Sequence, residues 1–295
     1  MSRILSPIKY AGGKTYLAKK ICDQLKTSLT SVRDGIYVEG FSGGLSVLLN
    51  LDLDCKKYAF DLDEELIRVW GVIQKYPKDL QKSLRLSGFQ YSQENFKKRF
   101  IDLEYERQLF NRGGGIIDLI KHASNYIFIN RCSRSANMKD FGTSTRLRGG
   151  QNEYKNAYEN AVYNLPITAQ RLKNVHFEAG DYIQLMEKYG LDKNPSVVSY
   201  IDPPYVQSAR TSKNVYKYEM PTYYHPSKTS HQSLWYFTNY CAGTHYLSGY
   251  ECDEYKHWSE IYKGEIVFQR EIANHACQKK IKSRRREILW RVAGV

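Results

Sequence analysis

The 295-residue chain contains no apolar run of the roughly 18 residues that a membrane helix needs. Its mean hydropathy is −0.58. The first residues, Met1-Ser2-Arg3-Ile4-Leu5-Ser6-Pro7, lack the apolar core of a signal peptide. These absences argue against a secreted or membrane-spanning protein and lead to the expectation of a cytoplasmic one. Six cysteines (Cys22, Cys55, Cys132, Cys241, Cys252, Cys277) lie at wide, irregular spacings, and none forms a Cys-x-x-Cys pair. That pattern fits free thiols in a reducing compartment rather than a zinc site or a disulfide framework. His176, His225, His231 and His245 are scattered singly, none at metal-ligand spacing from another, so no metal is expected. No repeat of solenoid length stands out. The dinucleotide fingerprint G-x-G-x-x-G is missing, which counts against a nicotinamide dehydrogenase. Gly13-Lys14-Thr15 ends like a P-loop, but the glycine required five positions earlier is Ile8, which counts against an ATPase.

Acidic residues are also in short supply. Lysine plus arginine number 44 against 31 aspartate plus glutamate, for a net charge of +13. The pI is near 9.3. Such a balance favours a polyanionic partner, most commonly nucleic acid. No Lys-rich amphipathic helix with a Trp/Phe/Leu face suggests a membrane surface instead. The excess is concentrated. Over 107–150, eight cations (Arg107, Arg112, Lys121, Arg131, Arg134, Lys139, Arg146, Arg148) face two acids, Asp118 and Asp140. Near the end, Lys279, Lys280, Lys282, Arg284, Arg285, Arg286 and Arg291 surround Glu287, as either a DNA-facing edge or a solvated hairpin. Twenty-five tyrosines add groups that stack on bases or bond phosphates.

The apolar pattern predicts a helix over 16–29, strands over 35–39 and 56–61, and a helix over 45–51 between them, a βαβ unit. Helical patterns follow from Leu66 through Leu109, break at Asn111-Arg112-Gly113-Gly114-Gly115, and resume over 116–129. Residues 130–152 turn polar, basic and glycine-rich. Strands are predicted again over 174–178, 196–201, 246–250 and 287–292. Residues 206–231, which lack periodicity, read as a lid or substrate loop. The fold expected is α/β, one parallel-sheet domain interrupted by a mostly helical, basic insert.

Asp202-Pro203-Pro204-Tyr205 closes a β-branched strand, at the sheet edge where α/β proteins bind ligands. Two prolines remove two backbone donors. What remains is carbonyl acceptors, a carboxylate and a phenol ring, a set that suits a planar amino group. A simple turn is the plainer alternative. Glu39-Gly40-Phe41-Ser42-Gly43-Gly44 lies between a strand and a helix, where glycines let a ligand approach the backbone. Asp61, 22 residues past Glu39, stands where an acid bonds a ribose diol. Tyr10-Ala11-Gly12-Gly13-Lys14 offers an anion site. Gly180-Asp181 fits either an adenine amino group or the cap of the next helix.

In this order, the motifs resemble the DNA adenine-N6 methyltransferases of the D12 class, the Dam-like group. The likeness runs through Pro7 to Lys14, Tyr37 to Gly44, Phe60 to Ile67, Asn130-Arg131, Asn164-Leu165-Pro166, Gly180-Asp181 and Asp202 to Tyr205. It ends on Leu247-Ser248-Gly249-Tyr250 and Glu287-Ile288-Leu289-Trp290. Gly40 stands where the family usually has proline, Asp63 where it has asparagine, and Tyr10 where tryptophan is frequent. Residues 132–150, with Arg134-Ser135-Ala136, depart from the enzymes that read GATC.

The resemblance implies a Rossmann-like domain of residues 1–62 plus 163–295, and an inserted target-recognition domain of residues 63–162. It implies S-adenosylmethionine as methyl donor and double-stranded DNA as substrate. Tyr10, Ala11, Gly12, Lys14, Glu39, Phe41, Ser42, Gly43 and Gly44 would bind the cofactor's methionine end. Asp61 and Leu62 would meet its ribose, and Asp181 with Tyr182 its adenine. Asp202, shared by cofactor and base, Pro203, Pro204 and Tyr205 would hold a flipped adenine. Asn130, Arg131, Ser133, Arg134, Lys139, Arg146 and Arg148 would face DNA. A cytosine-N4 methylase, an RNA adenine methylase and a silent DNA-binding relative remain alternatives at this stage.

Overall fold

The computed structural model describes residues 3–10, 12–112, 118–144, 146–148, 150–210, 217–273 and 284–294. Along the chain, α1 (Ala18–Ser31) precedes β1 (Ile36–Gly40) and β2 (Lys56–Asp61). Four helices follow: α2 (Glu64–Lys75), α3 (Pro77–Leu84), α4 (Gln93–Asn111) and α5 (Leu119–Cys132). A two-residue hairpin, β3 (Leu147–Arg148) with β4 (Gln151–Asn152), leads to α6 (Glu153–Tyr163) and α7 (Leu165–Leu172). The remainder is β5 (Val175–Ala179), α8 (Tyr182–Lys188), β6 (Val197–Ile201), α9 (His231–Tyr240), β7 (Thr244–Tyr250), α10 (Asp253–Ile261), β8 (Glu265–Ala273) and β9 (Arg284–Ala293).

By packing, the chain divides into two units. One comprises 16–42, 51–64 and 175–295, the other 1–15, 43–50 and 65–174. Compared with the division expected from sequence, the second unit also takes in 1–15 and 43–50 and runs on to residue 174.

The first unit is built on a seven-stranded sheet in the order β5-β2-β1-β6-β7-β9-β8. β5, β2, β1, β6 and β7 run parallel, and β9 lies antiparallel between β7 and β8. This is a doubly wound, Rossmann-like arrangement closed by an antiparallel hairpin. The central strands are apolar because both faces are covered: every residue of β6 is buried. β5 lies at one edge and is buried only at Val175. α1 buries Ala18, Ile21, Cys22, Leu25 and Leu29, a stripe at helical spacing. Trp235, Tyr255, Trp258 and Trp290 join Val38, Phe60, Leu234 and Leu247 in one core cluster. Each large side chain so enclosed contributes about 1.5–3 kcal/mol.

The second unit is helical. α5 is its axis, with His122 to Asn130 buried without a break, so the helix is enclosed by its neighbours on nearly every side. Asp118 caps it by accepting from the amides of Ile120 and Lys121.

Several elements differ from the sequence pattern. Residues 45–51 form only a 3₁₀ turn, Leu48–Asn50, because Leu45 adopts φ +51° and cannot begin a helix. The helix expected over 116–129 begins at Leu119 and reaches Cys132; its first two predicted residues lie outside the described ones. β8 was not predicted. Its Glu265, Arg270 and Glu271 interrupt the apolar pattern, as an edge strand paired on one side permits.

Candidate active site

β1 turns back at Phe41, a non-glycine residue at φ +57°. Such left-handed positions carry strain and cluster at functional turns. Ser42 braces the turn: its amide and its hydroxyl both donate to the Phe60 carbonyl, at 3.0 and 2.8 Å. Glu39 is buried inside β1 and accepts from the Tyr37 hydroxyl at 2.7 Å. Gly40 is glycine for a contact reason. A Cβ there would come within 2.5 Å of the Tyr182 ring. Tyr182, expected at the cofactor, is itself buried in that contact.

At the carboxyl end of β2, Asp61 accepts from the Asp63 amide at 3.0 Å, while the apolar Leu62 beside it is 46% exposed. Lys217 donates to both carboxylate oxygens of Asp63 at 2.9 Å. At the end of β5, Asp181 caps α8 through the amides of Ile183 and Gln184. It also accepts from the Thr229 hydroxyl at 2.6 Å. Both sequence alternatives for Asp181 therefore start from a carboxylate already held as a cap.

Asp202 follows β6, partly exposed, with Pro203 buried behind it. Pairing of Gly40 with Phe60 and Ile201, and of Asp61 with Ala179, brings Phe41, Asp61, Asp181 and Asp202 out at the same edge of the sheet. The strand order reverses between β2 and β6 about β1, and that edge is where doubly wound folds bind ligands.

Tyr205 differs from a ring simply displayed for stacking. It is 4% exposed, its hydroxyl donates to Glu287 Oε1 at 2.7 Å, and its ring meets Tyr250 at 4.3 Å in a T shape. The Tyr16 hydroxyl donates to the other oxygen of Glu287. Burial, then the charges of Glu287 and Asp202, hold the Tyr16 phenol neutral well above its usual range. Glu287, Tyr16, Thr229 and Lys217 were missed as site residues. The signals for Glu287 were a single acid amid a run of cations and its place in the Glu287-Ile288-Leu289-Trp290 likeness.

The helical unit carries the other motifs. Gly12, at φ +80°, makes a turn closed by the Gly13 amide on the Tyr10 carbonyl. Lys14 is buried and donates to the Gly12 carbonyl at 2.8 Å. Ala11 lies outside the described residues. Gly43, at φ +46°, faces the Tyr10 ring, which a Cβ would meet at 2.7 Å. A Cβ at Gly44 would lie 3.2 Å from the Ile8 carbonyl oxygen.

Two of the residues expected to face DNA lie inside the fold. The Asn130 amide is buried and pairs with the backbone N–H and carbonyl of Lys9, at 2.7 and 2.9 Å. Ser133 is fully buried and donates to the Asn130 carbonyl. Each short polar side chain thus satisfies backbone groups rather than facing outward. Arg131 donates to the Ala157 carbonyl, and burial lowers its guanidinium to about 10. Burial, then Arg131, lowers Lys9 to about 8. Arg134, Lys139 and Arg146 are exposed. The side chain of Arg148, and residues Lys279, Lys280 and Lys282, are outside the description.

His231 and His245 are buried in the core. His245 and Ser199 are bonded at 2.7 Å, and burial lowers the imidazole to about 4. Burial, with Arg210 nearby, lowers His231 to about 3, and its Nδ1 meets the Tyr255 hydroxyl. Among the described residues no group of three or more metal-ligating side chains gathers, and no helix is long and apolar enough to cross a membrane.

An acid-lined edge at the reversal of a doubly wound sheet defines an enzyme that binds a nucleoside-containing cofactor. The family is shown by a match over residues 10–270: the chain belongs to the D12 class of N6 adenine-specific DNA methyltransferases. It therefore uses S-adenosylmethionine to methylate adenine N6 in DNA. It is 27% identical over 211 residues to the type II methyltransferase M.MjaIII of Methanocaldococcus jannaschii, covering 70% of each chain. Weaker likenesses in fold include the precorrin 8w decarboxylase of Methanobacterium thermoautotrophicum (10% identity, 93% of this chain and 89% of that chain, TM-score 0.36). Another is the precorrin-6y C5,15-methyltransferase of Geobacter metallireducens (7% identity, 92% and 87%, TM-score 0.36).

Proposed function

We propose that the acids at the ends of β2, β5 and β6 divide the work between methyl donor and target base in double-stranded DNA. The observation that carries this reading is the emergence of Phe41, Asp61, Asp181 and Asp202 at one sheet edge. The donor set fits the cofactor: Asp61 accepts from a ribose diol, exposed Leu62 and Phe41 cover an adenine, and Asp181 accepts from its amino group. When bound, S-adenosylmethionine supplies a methyl group on an electrophilic sulfonium.

Asp202 and the Pro203 carbonyl accept hydrogen bonds from the two N6 hydrogens of the target adenine, and the prolines leave no competing donor. Those bonds draw the nitrogen lone pair out of ring conjugation. N6 cannot be reached in a stacked duplex, so the base is flipped, and the Tyr205 ring bears on it. Catalysis rests on position and on charge stabilisation as N6 turns cationic, without a covalent enzyme intermediate. Arg134, Lys139 and Arg146 meet phosphates. Action in the cytoplasm, the compartment of that DNA, belongs to the same proposal.

The test is methyl transfer from labelled S-adenosylmethionine to unmethylated bacterial DNA, followed by nucleoside analysis and sequencing of modified sites. N6-methyladenine at a defined motif is expected. Asp202→Ala should lower turnover at least about 100-fold, on the scale of losing one preorganised polar group, while DNA binding persists. Near-wild-type turnover in that variant would remove Asp202 from its role.

A further inference from the structure

The charged residues of the β8–β9 hairpin divide by face. Side chains alternate along a strand, and cross-strand partners share a face. Arg286, opposite Glu271, donates to Glu251 at 3.0 Å. The other face carries Phe268, Arg270 and Ile272 of β8, with Leu289, Glu287 and Arg285 of β9 opposite them in that order. Three cations lie over rings on this face. Lys20 of α1 is over Phe268 at 4.6 Å, Arg270 over Tyr16 at 5.7 Å, and Arg285 over Tyr250 at 5.2 Å. Lys20 and Arg270 are exposed and Arg285 is half-buried, whereas Glu287, the acid of the row, is 2% exposed. The row therefore presents positive charge to solvent and keeps its negative charge inside.

The row leads to the candidate site. Leu247 of β7 is level with Ile201, the last residue of β6, and Tyr250 ends β7 opposite Glu287. The hairpin runs on past Tyr250 to Ala273 and Arg284, at the carboxyl edge of the parallel strands. Tyr250 and Tyr16, the rings under the two arginines, border Tyr205 and Glu287. The levels of Phe268, Arg270 and Ile272 are about 7 Å apart, close to the step between phosphates along one DNA strand. A ring beneath a guanidinium presses it flat and leaves its N–H donors pointing outward in a fork that matches a phosphate.

We propose that this face of the hairpin is a DNA-binding surface of the sheet unit, on which Lys20, Arg270 and Arg285 meet successive phosphates of the strand beside the target adenine. Of the two readings of the basic C-terminal run, it selects the DNA-facing edge over the solvated hairpin. The place beside the target rests on the assignment of Asp202 to that base made above; the contact with phosphates does not.

The test is the salt dependence of binding by the full chain to a duplex that carries one target site. Lys20→Gln, Arg270→Gln and Arg285→Gln together should shallow the dependence of log affinity on log salt by about 0.9 for each of the three. Kd for S-adenosylmethionine should stay near wild type. Arg286→Gln, on the opposite face, should leave the slope as it is. A neutral methylphosphonate in place of single phosphates next to the target adenine should weaken binding by the wild type and not by the triple variant. An unchanged slope in the triple variant, or a change of the same size per residue from Arg286→Gln, overturns the surface. A shallower slope with the methylphosphonate effect fully kept overturns its place beside the target. If the triple variant fails to fold, Arg270→Gln, a change at an exposed side chain, decides alone, and an unchanged slope there overturns the proposal. Asp202→Ala separates the premise, because it is read in turnover: undiminished turnover would remove the target-base assignment, while the salt slope still decides the contact with DNA.

Discussion

Each unit of the chain buries a carboxylate network, and the two are built on different terms. In the helical unit, His122 sits with Nδ1 3.0 Å from Glu106 and Nε2 3.4 Å from Glu65. Arg107 grips Glu65 with two bonds of 2.8 Å, and Asn125 donates to Glu106. Charge there is answered by charge, tying α2, α4 and α5 together. In the sheet unit, Glu287, inside β9, accepts from two phenols, and Asp181, just past β5, accepts from amides and a hydroxyl. A network closed on itself makes structure. Acids held by neutral donors keep their charge available to a ligand, and the difference can be broken experimentally.

The largest effect should come from the closed network. His122→Ala leaves two buried acids short of a partner and should destabilise the helical unit by about 3 kcal/mol, read by denaturant unfolding. Turnover measured well below the midpoint should stay near wild type. A large loss of kcat with unchanged stability would mean that this network belongs to the site. Its pH behaviour follows from two opposed shifts. Burial works against the His122 imidazolium, but Glu106 and Glu65 outweigh it and raise its pKa above 6.5. That contribution is complete below about 6.5 and is lost as pH rises through the raised value. Burial also opposes ionisation of Glu65, yet His122 and Arg107 lower it from 4.5 to about 2. Its contribution is present above about 4.5 and is lost as pH falls toward 2. Wild-type stability should therefore peak between these limits, and His122→Ala should flatten the alkaline side of the peak.

The next effect concerns DNA. Replacing Arg134, Lys139 and Arg146 together with alanine should shallow the dependence of log affinity on log salt by about 0.9 for each residue that meets a phosphate. Stability should not change. An unaltered slope would take the exposed basic segment out of the interface. Arg131, expected on the DNA side by its charge and by the family motif, is left out of this set because its guanidinium donates to the Ala157 carbonyl.

That contrast marks what was legible in the sequence. Strand ends could be read because period and punctuation are local: β2 begins and ends as predicted, and Asp202 falls just past β6. Asp61 could be placed by counting from Glu39. Exposure could not be counted, so nothing in the pattern at Asn130 and Arg131 announces their bonds to Lys9 and Ala157. Glu287 lies 82 residues from Tyr205, and such a bond has no local signature. The short turn at 48–50 was read as a helix because nothing in Leu45 announces a positive φ.

The smallest effect tests the open network. Thr229 belongs to a stretch without periodicity, and its hydroxyl donates to Asp181 at 2.6 Å. Thr229→Val keeps the volume and removes that donor. The cap of α8 survives through Ile183 and Gln184, so stability should fall by no more than about 1 kcal/mol. The carboxylate loses one of the bonds that aim it, so S-adenosylmethionine should bind up to about tenfold more weakly by calorimetry. If affinity holds while stability falls, Asp181 is a helix cap and nothing more, and the open network shrinks to Asp61, Asp202 and Glu287.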